Sequence, residues 1–225
     1  MTDTIANRNN VHRVDETNRA EVLDFIMENY WTCENFSRAM NLHKSPEAIQ
    51  ELRPFTNMLI QQGHSLCYMN GCEIAAVALN VLQTTCSTPE LYEKYARNCK
   101  QPGAAAILNF VVDLEQYDEY IFKQMNIDCY LEIICIATAG KFKGRGCAGV
   151  LMQETIELAR QLKNKLQTGP GAVVAECTSP IAKKLTEKLG FYTVLDLQPE
   201  IAKWKAKCIG ELPSETILKL QVFKL

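Results

Sequence analysis

The chain has 225 residues, 47% of them hydrophobic and 22% charged, with a formal net charge of -2. That length suits one large domain or two small ones, with enough apolar material to bury a full core. The near-neutral charge argues against the basic footprint of a nucleic-acid binder, and no apolar run nears the roughly 20 residues that cross a bilayer.

The opening MTDTIANRNN is polar and has no secretory apolar region, so residues 1–10 are expected to be a flexible tail. The ten cysteines lack paired metal spacing: Cys67 and Cys72 are too far apart for a CxxC, and no His follows His64. Reduced, mostly buried thiols in a cytoplasmic protein are expected, with no metal and no membrane.

VHRV (11–14) reads as a first strand. Leu23, Ile26, Met27 and Tyr30 recur at helical spacing, and NYWTCENFSRAM breaks that pattern as a loop entering a short helix. Ser45 and Pro46 open the next helix as N-cap and first residue, with Pro54 predicting a kink or restart and Gly63 the stop. SLCYMNGCEIAAVALNVL reads as two strands turning at Asn70-Gly71. Residues 87–126 look helical in two pieces, broken at Gln101-Pro102-Gly103. Their acidic DLEQYDEY run (113–120) is read as a solvated face, with attraction of a cationic substrate as the alternative.

YLEIICIAT (130–138) is a buried strand. A glycine turn follows, then a helix with Ala148, Leu151, Met152, Ile156, Ala159 and Leu162 on its apolar positions. After a loop at 168–171, AVVAEC (172–177) is a strand. Ser179-Pro180 opens another helix, with Leu185 and Leu189 inward and Gly190 as its stop. FYTVLDL and ETILKLQVF finish as strands. A single mixed α/β domain over 1–225 is expected, without linker or repeat.

The turn KFKGRGCAG admits three phosphate readings. A Walker A loop requires Lys-Ser/Thr after its last glycine, and GRGCAGVL has none. Gly144, Gly146 and Gly149 fit GxGxxG, but five elements precede the turn and a five-residue spacer separates it from the strand. Glu176 also precedes a further helix instead of closing a dinucleotide-binding pair. The third reading frames the turn as Lys143-Gly144-Arg145-Gly146-Cys147-Ala148, which resembles the Gln/Arg-x-x-Gly-x-Gly/Ala signature of the GNAT superfamily of acyl-CoA-dependent N-acetyltransferases. Unpaired N–H groups at a helix start hold a pyrophosphate, and glycines keep side chains clear of it.

The resemblance continues in TSPIAKKLTEKLGF (178–191), which is similar to the superfamily's Asn-x-x-Ala-x-x-Leu-Tyr-x-x-x-Gly-Phe helix: Ser179, Ala182, Leu185, Gly190 and Phe191 fit. The resemblance implies a central twisted mixed sheet with two splayed strands, flanked by helices. It also implies acetyl-CoA as cofactor, its pantetheine arm along Ile136, Ala137 and Thr138 and its phosphates on residues 143–148. Ser179 and Lys183 on the motif helix are further implied cofactor contacts. The Thr138 N–H would polarise the thioester carbonyl.

The superfamily's usual acid Tyr is replaced by Thr186, and Tyr192 begins a strand beyond the stop glycine. TCENF (32–36) resembles the glutamate-bearing loop of the insect arylalkylamine N-acetyltransferase-like branch, with Glu34 matching its base. That branch usually follows the glutamate with Pro-Leu, where this chain has Asn35-Phe36. Its serine-rich motif survives as Thr178 and Ser179, implied partners in proton transfer, while Ala182 replaces the last serine. Trp31 and Phe36 are candidate walls of an aromatic amine pocket or core residues. Cys33, Cys135 and Cys147 invite a covalent acetyl-cysteine, but the C-terminal half has no His to activate them.

The expected activity is transfer of acetyl to a small arylalkylamine, of the dopamine, serotonin or tryptamine type, with Glu34 as base and a monomer as the acting form. A polyamine or agmatine acetyltransferase is the alternative. A non-catalytic acyl-CoA-binding module is the second.

Overall fold

The structure, a computed structural model, describes residues 6–87 and 90–225. Among these, one sheet is built from β1 (Val11–Arg13), β2 (Leu66–Asn70), β3 (Glu73–Thr84), β4 (Cys129–Thr138), β5 (Ala172–Cys177), β6 (Tyr192–Asp196) and β7 (Lys219–Lys224). Its order is β1-β2-β3-β4-β5-β7-β6, and every pair is antiparallel except β4 with β5. That pair is joined only from Leu131↔Val173 to Ile133↔Ala175. Beyond Ile133 the two strands part, leaving the β5 side of Ile134–Thr138 without a strand partner. The mixed sheet with splayed central strands is therefore present.

Strand alternation explains how the sheet is clad. Val77, Leu79 and Val81 of β3 face one core with α1 (Arg19–Asn29), α2 (Asn35–Ala39), α3 (Pro46–Gln61), α4 (Glu90–Asn98) and α5 (Pro102–Glu115). On the same face, α6 (Asp118–Met125) packs Ile121 and Met125 over Tyr130, Val174 and Val222. Ala76 and Ala78 of β3, with Leu131 and Ile133 of β4, face α7 (Cys147–Lys165) on the other side, where α8 (Pro180–Lys188) adds Leu185 and Leu189. A register shift opposite Leu79/Asn80 leaves Ile134 as the extra residue of a β4 bulge. The bulge resets the alternation, so Ile134 and Cys135 both turn toward the α1–α5 core while Ile136 joins the α7 side.

Four expectations are corrected. Residues 6–10 are not a loose tail: Arg8–Asn10 form a 3-10 turn, the Asn7 N–H and Asn10 Nδ2 both donate to the Tyr68 hydroxyl, and Arg8 pairs with Glu154 of α7. Residues 1–5 of that predicted tail lie outside the described residues. Pro54 does not restart the helix, since α3 runs through it. Pro54 and Gln50 are both exposed, so the Gln50 carbonyl that loses its helical donor faces solvent, where water can satisfy it. The 87–126 stretch holds three helices rather than two, the extra break at 116–117 letting the chain pass from the first core to the one beneath α6. Finally, α9 (Ile201–Lys207), which no periodicity announced, inserts between the last two strands and buries Trp204 against Phe110, ring centroids 4.9 Å apart.

Candidate active site

The glycine turn sits at the start of α7, just beyond the open edge of β4. Gly144 and Gly146 adopt φ of 79° and 85°, a region that costs side-chain-bearing residues energy. A Cβ at Gly144 would meet nothing within 4 Å, and at Gly146 only the Ala6 Cβ at 3.7 Å. Packing therefore does not demand these glycines; backbone shape and an open surface do. Gly149 differs, since its face meets Leu185 of α8. Gly146 is the N-cap and offers no side-chain acceptor, and the first helical bond runs from the Val150 N–H to the Gly146 carbonyl. The N–H groups of Cys147, Ala148 and Gly149 thus point outward without helical partners. Around them, Lys143 and Arg145 are exposed, Arg145 resting 5.4 Å from the Phe142 ring centroid, while Lys141 pairs with Glu73. Outward N–H groups beside two exposed cations form an arrangement suited to an anion, and it leads to the unpaired edge of Ile136, Ala137 and Thr138.

Glu34 arrives from the other half of the chain. Its N–H closes the end of α1 on the Tyr30 carbonyl at 2.9 Å, and the residue then serves as N-cap of α2. The carboxylate is divided by that duty. Oε2 accepts the Ser37 N–H at 2.8 Å, whereas Oε1 is buried with no hydrogen-bond partner. Glu34 and Thr178 line one cavity together with Tyr30, Trp31, Phe110 and Ile134. Its free volume of ≈ 40 Å³ has room for a water that could carry a proton.

The same cavity gathers three more carboxylates, Glu115, Glu132 and Glu176, and no Lys or Arg lines it. Glu132 is 5% exposed, and its Oε2 accepts from Gln83 Nε2 at 2.8 Å; that amide also reaches Glu115 at 3.3 Å. Asp118, behind them, accepts from the Tyr130 hydroxyl. Burial first, then repulsion from neighbouring carboxylates, pushes Glu132 up to about 8 and Glu115 up to about 11 and raises Glu176. Asp118 is raised by burial alone, against the hydrogen bonds of Tyr130 and Glu115, which lower it. The raised values of Glu115, Glu132 and Glu176 favour their protonated forms, and an entering cation would favour their ionisation. Among the described residues no such group has a metal-binding arrangement.

A stability prediction follows from Glu132. An acid raised from 4.5 to about 8 binds more protons folded than unfolded, so stability falls as pH rises between those values. Glu132→Gln keeps an acceptor for Gln83 and removes the ionisation. Its Tm should exceed the wild type's by several degrees at pH 8 and match it within about 2 °C at pH 4. Equal shifts at both pH values, followed by calorimetry, would remove the titration from the explanation.

The structure brings together most predicted residues and sets others apart. Trp31 lines the cavity, and its Nε1 donates to Thr56 at 2.9 Å. Phe36, a predicted substrate wall, is corrected: it is fully buried and stacks on Phe110 at 4.1 Å, so Phe110 presents the aromatic surface and Phe36 backs it. Ser179 caps α8, its Oγ accepting the Ala182 N–H at 3.2 Å, and it does not line the cavity. Lys183 pairs with Glu187 along α8. Thr186 points inward and bonds the Lys183 carbonyl at 2.7 Å, so this position faces the core. None of Cys33, Cys135 or Cys147 lines the cavity, and burial raises the thiols of the last two.

Sequence reasoning missed Tyr30 and Phe110 as cavity residues and did not connect Glu115, Glu132 and Glu176 with Glu34. A signal existed for Glu132, a single charge inside an otherwise apolar strand. The DLEQYDEY run divides between the two readings: Glu115 lines the cavity, while Glu119 is exposed and pairs with Lys123.

No family model matches the sequence, and no curated protein does. Solved structures do match over nearly the whole chain. Arylalkylamine N-acetyltransferase 2 from Aedes aegypti is 18% identical, with a TM-score of 0.77 over 95% of this chain and 97% of that one. A point mutant of an agmatine N-acetyltransferase, in its apo form, is 19% identical, with a TM-score of 0.75 over 96% and 98%. Drosophila melanogaster polyamine N-acetyltransferase, which forms N-acetylagmatine, is 18% identical, with a TM-score of 0.74 over 96% and 99%. The chain shares the fold of these N-acetyltransferases.

Proposed function

We propose that this chain is an acetyl-CoA-dependent N-acetyltransferase acting on a small amine. The observation that carries the reading is the meeting of two halves: an anion cradle running into an open strand edge, and beside it a buried carboxylate oxygen with no partner. Acetyl-CoA would supply the acetyl group as a thioester. Lys143, Gly144, Arg145, Gly146, Cys147 and Ala148 fit its pyrophosphate, since they combine exposed cations with outward N–H groups. Ile136, Ala137 and Thr138 would receive the extended arm along their unpaired edge, with the Thr138 N–H toward the carbonyl.

An amine with a pKa near ~10.4 arrives as ammonium and must lose a proton before it attacks. Glu34 is suited to take it through Oε1, directly or by way of water, because Oε2 is held by Ser37 and fixes the carboxylate's direction. Ten free thiols suit a reducing compartment, which supports a cytoplasmic setting; among the described residues no helix is long and apolar enough to cross a membrane.

The aromatic lining of Tyr30, Trp31 and Phe110 supports an arylalkylamine. A second reading, a polyamine or agmatine, is favoured by Glu115, Glu132 and Glu176: no Lys or Arg lines the cavity, so an entering ammonium or guanidinium would be the cation against which these raised carboxyls ionise. A coupled assay of acetyl-CoA against tryptamine, dopamine, serotonin, spermidine, putrescine and agmatine tests both. Turnover of tryptamine alone supports the first, and turnover of diamines alone supports the second. Acetyl-CoA binding without turnover of any amine would replace both with a non-catalytic acyl-CoA-binding module.

A further inference from the structure

The cap that orients Glu34 is internal to α2. The Ser37 N–H fixes the carboxylate relative to its own one-turn helix, and the placement of that helix against the split between β4 and β5 must come from elsewhere. One side chain provides it at the rim. Asn35, the residue after Glu34, sends its Nδ2 to the main-chain carbonyl of Thr178 at 2.9 Å, across 143 positions of sequence. Thr178 follows the last residue of β5 and lines the cavity with Glu34. Its carbonyl also accepts the Ile217 N–H at 3.2 Å, so both lone pairs are engaged and the acceptor is held firmly. The other ties of the Glu34 turn and α2 run to α1, α5 and the loop after α9, and none of them reaches β5: the Glu34 N–H to the Tyr30 carbonyl at 2.9 Å, Phe36 to Phe110, and the Gly210 N–H to the Ala39 carbonyl at 2.7 Å.

We infer that Asn35 is a positioning residue, whose amide clamps the Glu34 turn to the end of β5 and sets the distance from Glu34 Oε1 to the thioester site. This inference rests on the acetyl-transfer reading above. The acceptor is a backbone carbonyl, so the clamp depends on the donor at position 35 and not on the side chain at 178. The physical warrant is the sensitivity of proton transfer to geometry. A neutral hydrogen bond contributes modestly to stability, but a displacement of about 1 Å at a reacting group costs about 100-fold in rate.

The test compares wild type with Asn35→Ala, Asn35→Gln and Thr178→Ala. Asn35→Ala should lower kcat about 10- to 100-fold at pH 7 and leave the Kd for acetyl-CoA unchanged. The deficit should narrow as pH approaches the ammonium pKa near ~10.4, because a substrate that arrives neutral no longer needs a well-placed base. A general loss of structure would lower the rate equally at every pH. Amide exchange across residues 34–40 should quicken in Asn35→Ala, whereas Thr178→Ala, which keeps the carbonyl, should leave it unchanged. Asn35→Gln, which keeps the donor on a longer arm, should recover part of the rate. Equal kcat in wild type and Asn35→Ala, a pH-independent deficit, or unchanged exchange would each overturn the clamp. A wild type that acetylates no amine would instead remove the proposed function and the positioning role with it. The wild-type rate therefore separates the two failures.

Discussion

Glu34→Gln is expected to lower kcat about 100- to 10,000-fold at pH 7, the range over which a positioned general base contributes. The substitution is mild for the fold. Glutamine keeps a side-chain oxygen able to accept the Ser37 N–H, now bonded at 2.8 Å to Oε2, so the cap on α2 survives in weakened form. What disappears is proton affinity at Oε1, the buried oxygen without a partner. The cofactor groups lie on β4 and α7, so the Kd for acetyl-CoA should stay within about twofold, a few tenths of a kcal/mol. The deficit should shrink with rising pH as the amine, with a pKa near ~10.4, deprotonates in solution. Rapid-quench kinetics across pH and calorimetric titration of acetyl-CoA read the two effects separately. Parallel loss of rate and cofactor affinity would assign Glu34 to folding instead.

Gly146→Val should weaken acetyl-CoA binding about 100-fold or more, which is the loss of one or two charge-assisted hydrogen bonds. Two causes act together. Valine at a φ of 85° is strained by about 1–3 kcal/mol, and its methyls add bulk to a turn surface that is open apart from the Ala6 Cβ, where a phosphate would have to approach the backbone. Gly63 supplies the control. It also has a positive φ, 77°, and open space around its missing Cβ, but it ends α3 far along the chain from the turn. Gly63→Val should lower Tm comparably and leave cofactor affinity intact. If Gly146→Val binds acetyl-CoA as the wild type does, the turn is not part of the site.

These two residues show how unevenly the site could be read. The turn was legible because its chemistry is local: a strand, two glycines free of side chains and a helix start lie within ten residues, and a backbone anion cradle needs nothing more. Glu34 was found through a resemblance at its own loop, but its cap was not, since glutamate is a poor N-cap by preference and Asn35-Phe36 departs from the expected Pro-Leu. Phe36 was misplaced because an aromatic beside a candidate base looks the same in sequence whether it faces the ligand or supports the residue that does. Trp204, which meets Phe110 edge to face, lay in a helix too short and too weakly patterned to predict.

The sequence alone determined the strand and helix order of residues 130–191, the glycine turn at the start of α7, and the thiol-rich, near-neutral character of the chain. These are matters of periodicity, backbone freedom and composition. Tertiary structure decided which carboxylates share a cavity. Glu115, Glu132 and Glu176 come from a helix and two strands, and they meet Glu34 only because β4 and β5 part after Ile133. Desolvation and repulsion among such groups depend on distance in space, and a single sequence carries no record of that distance.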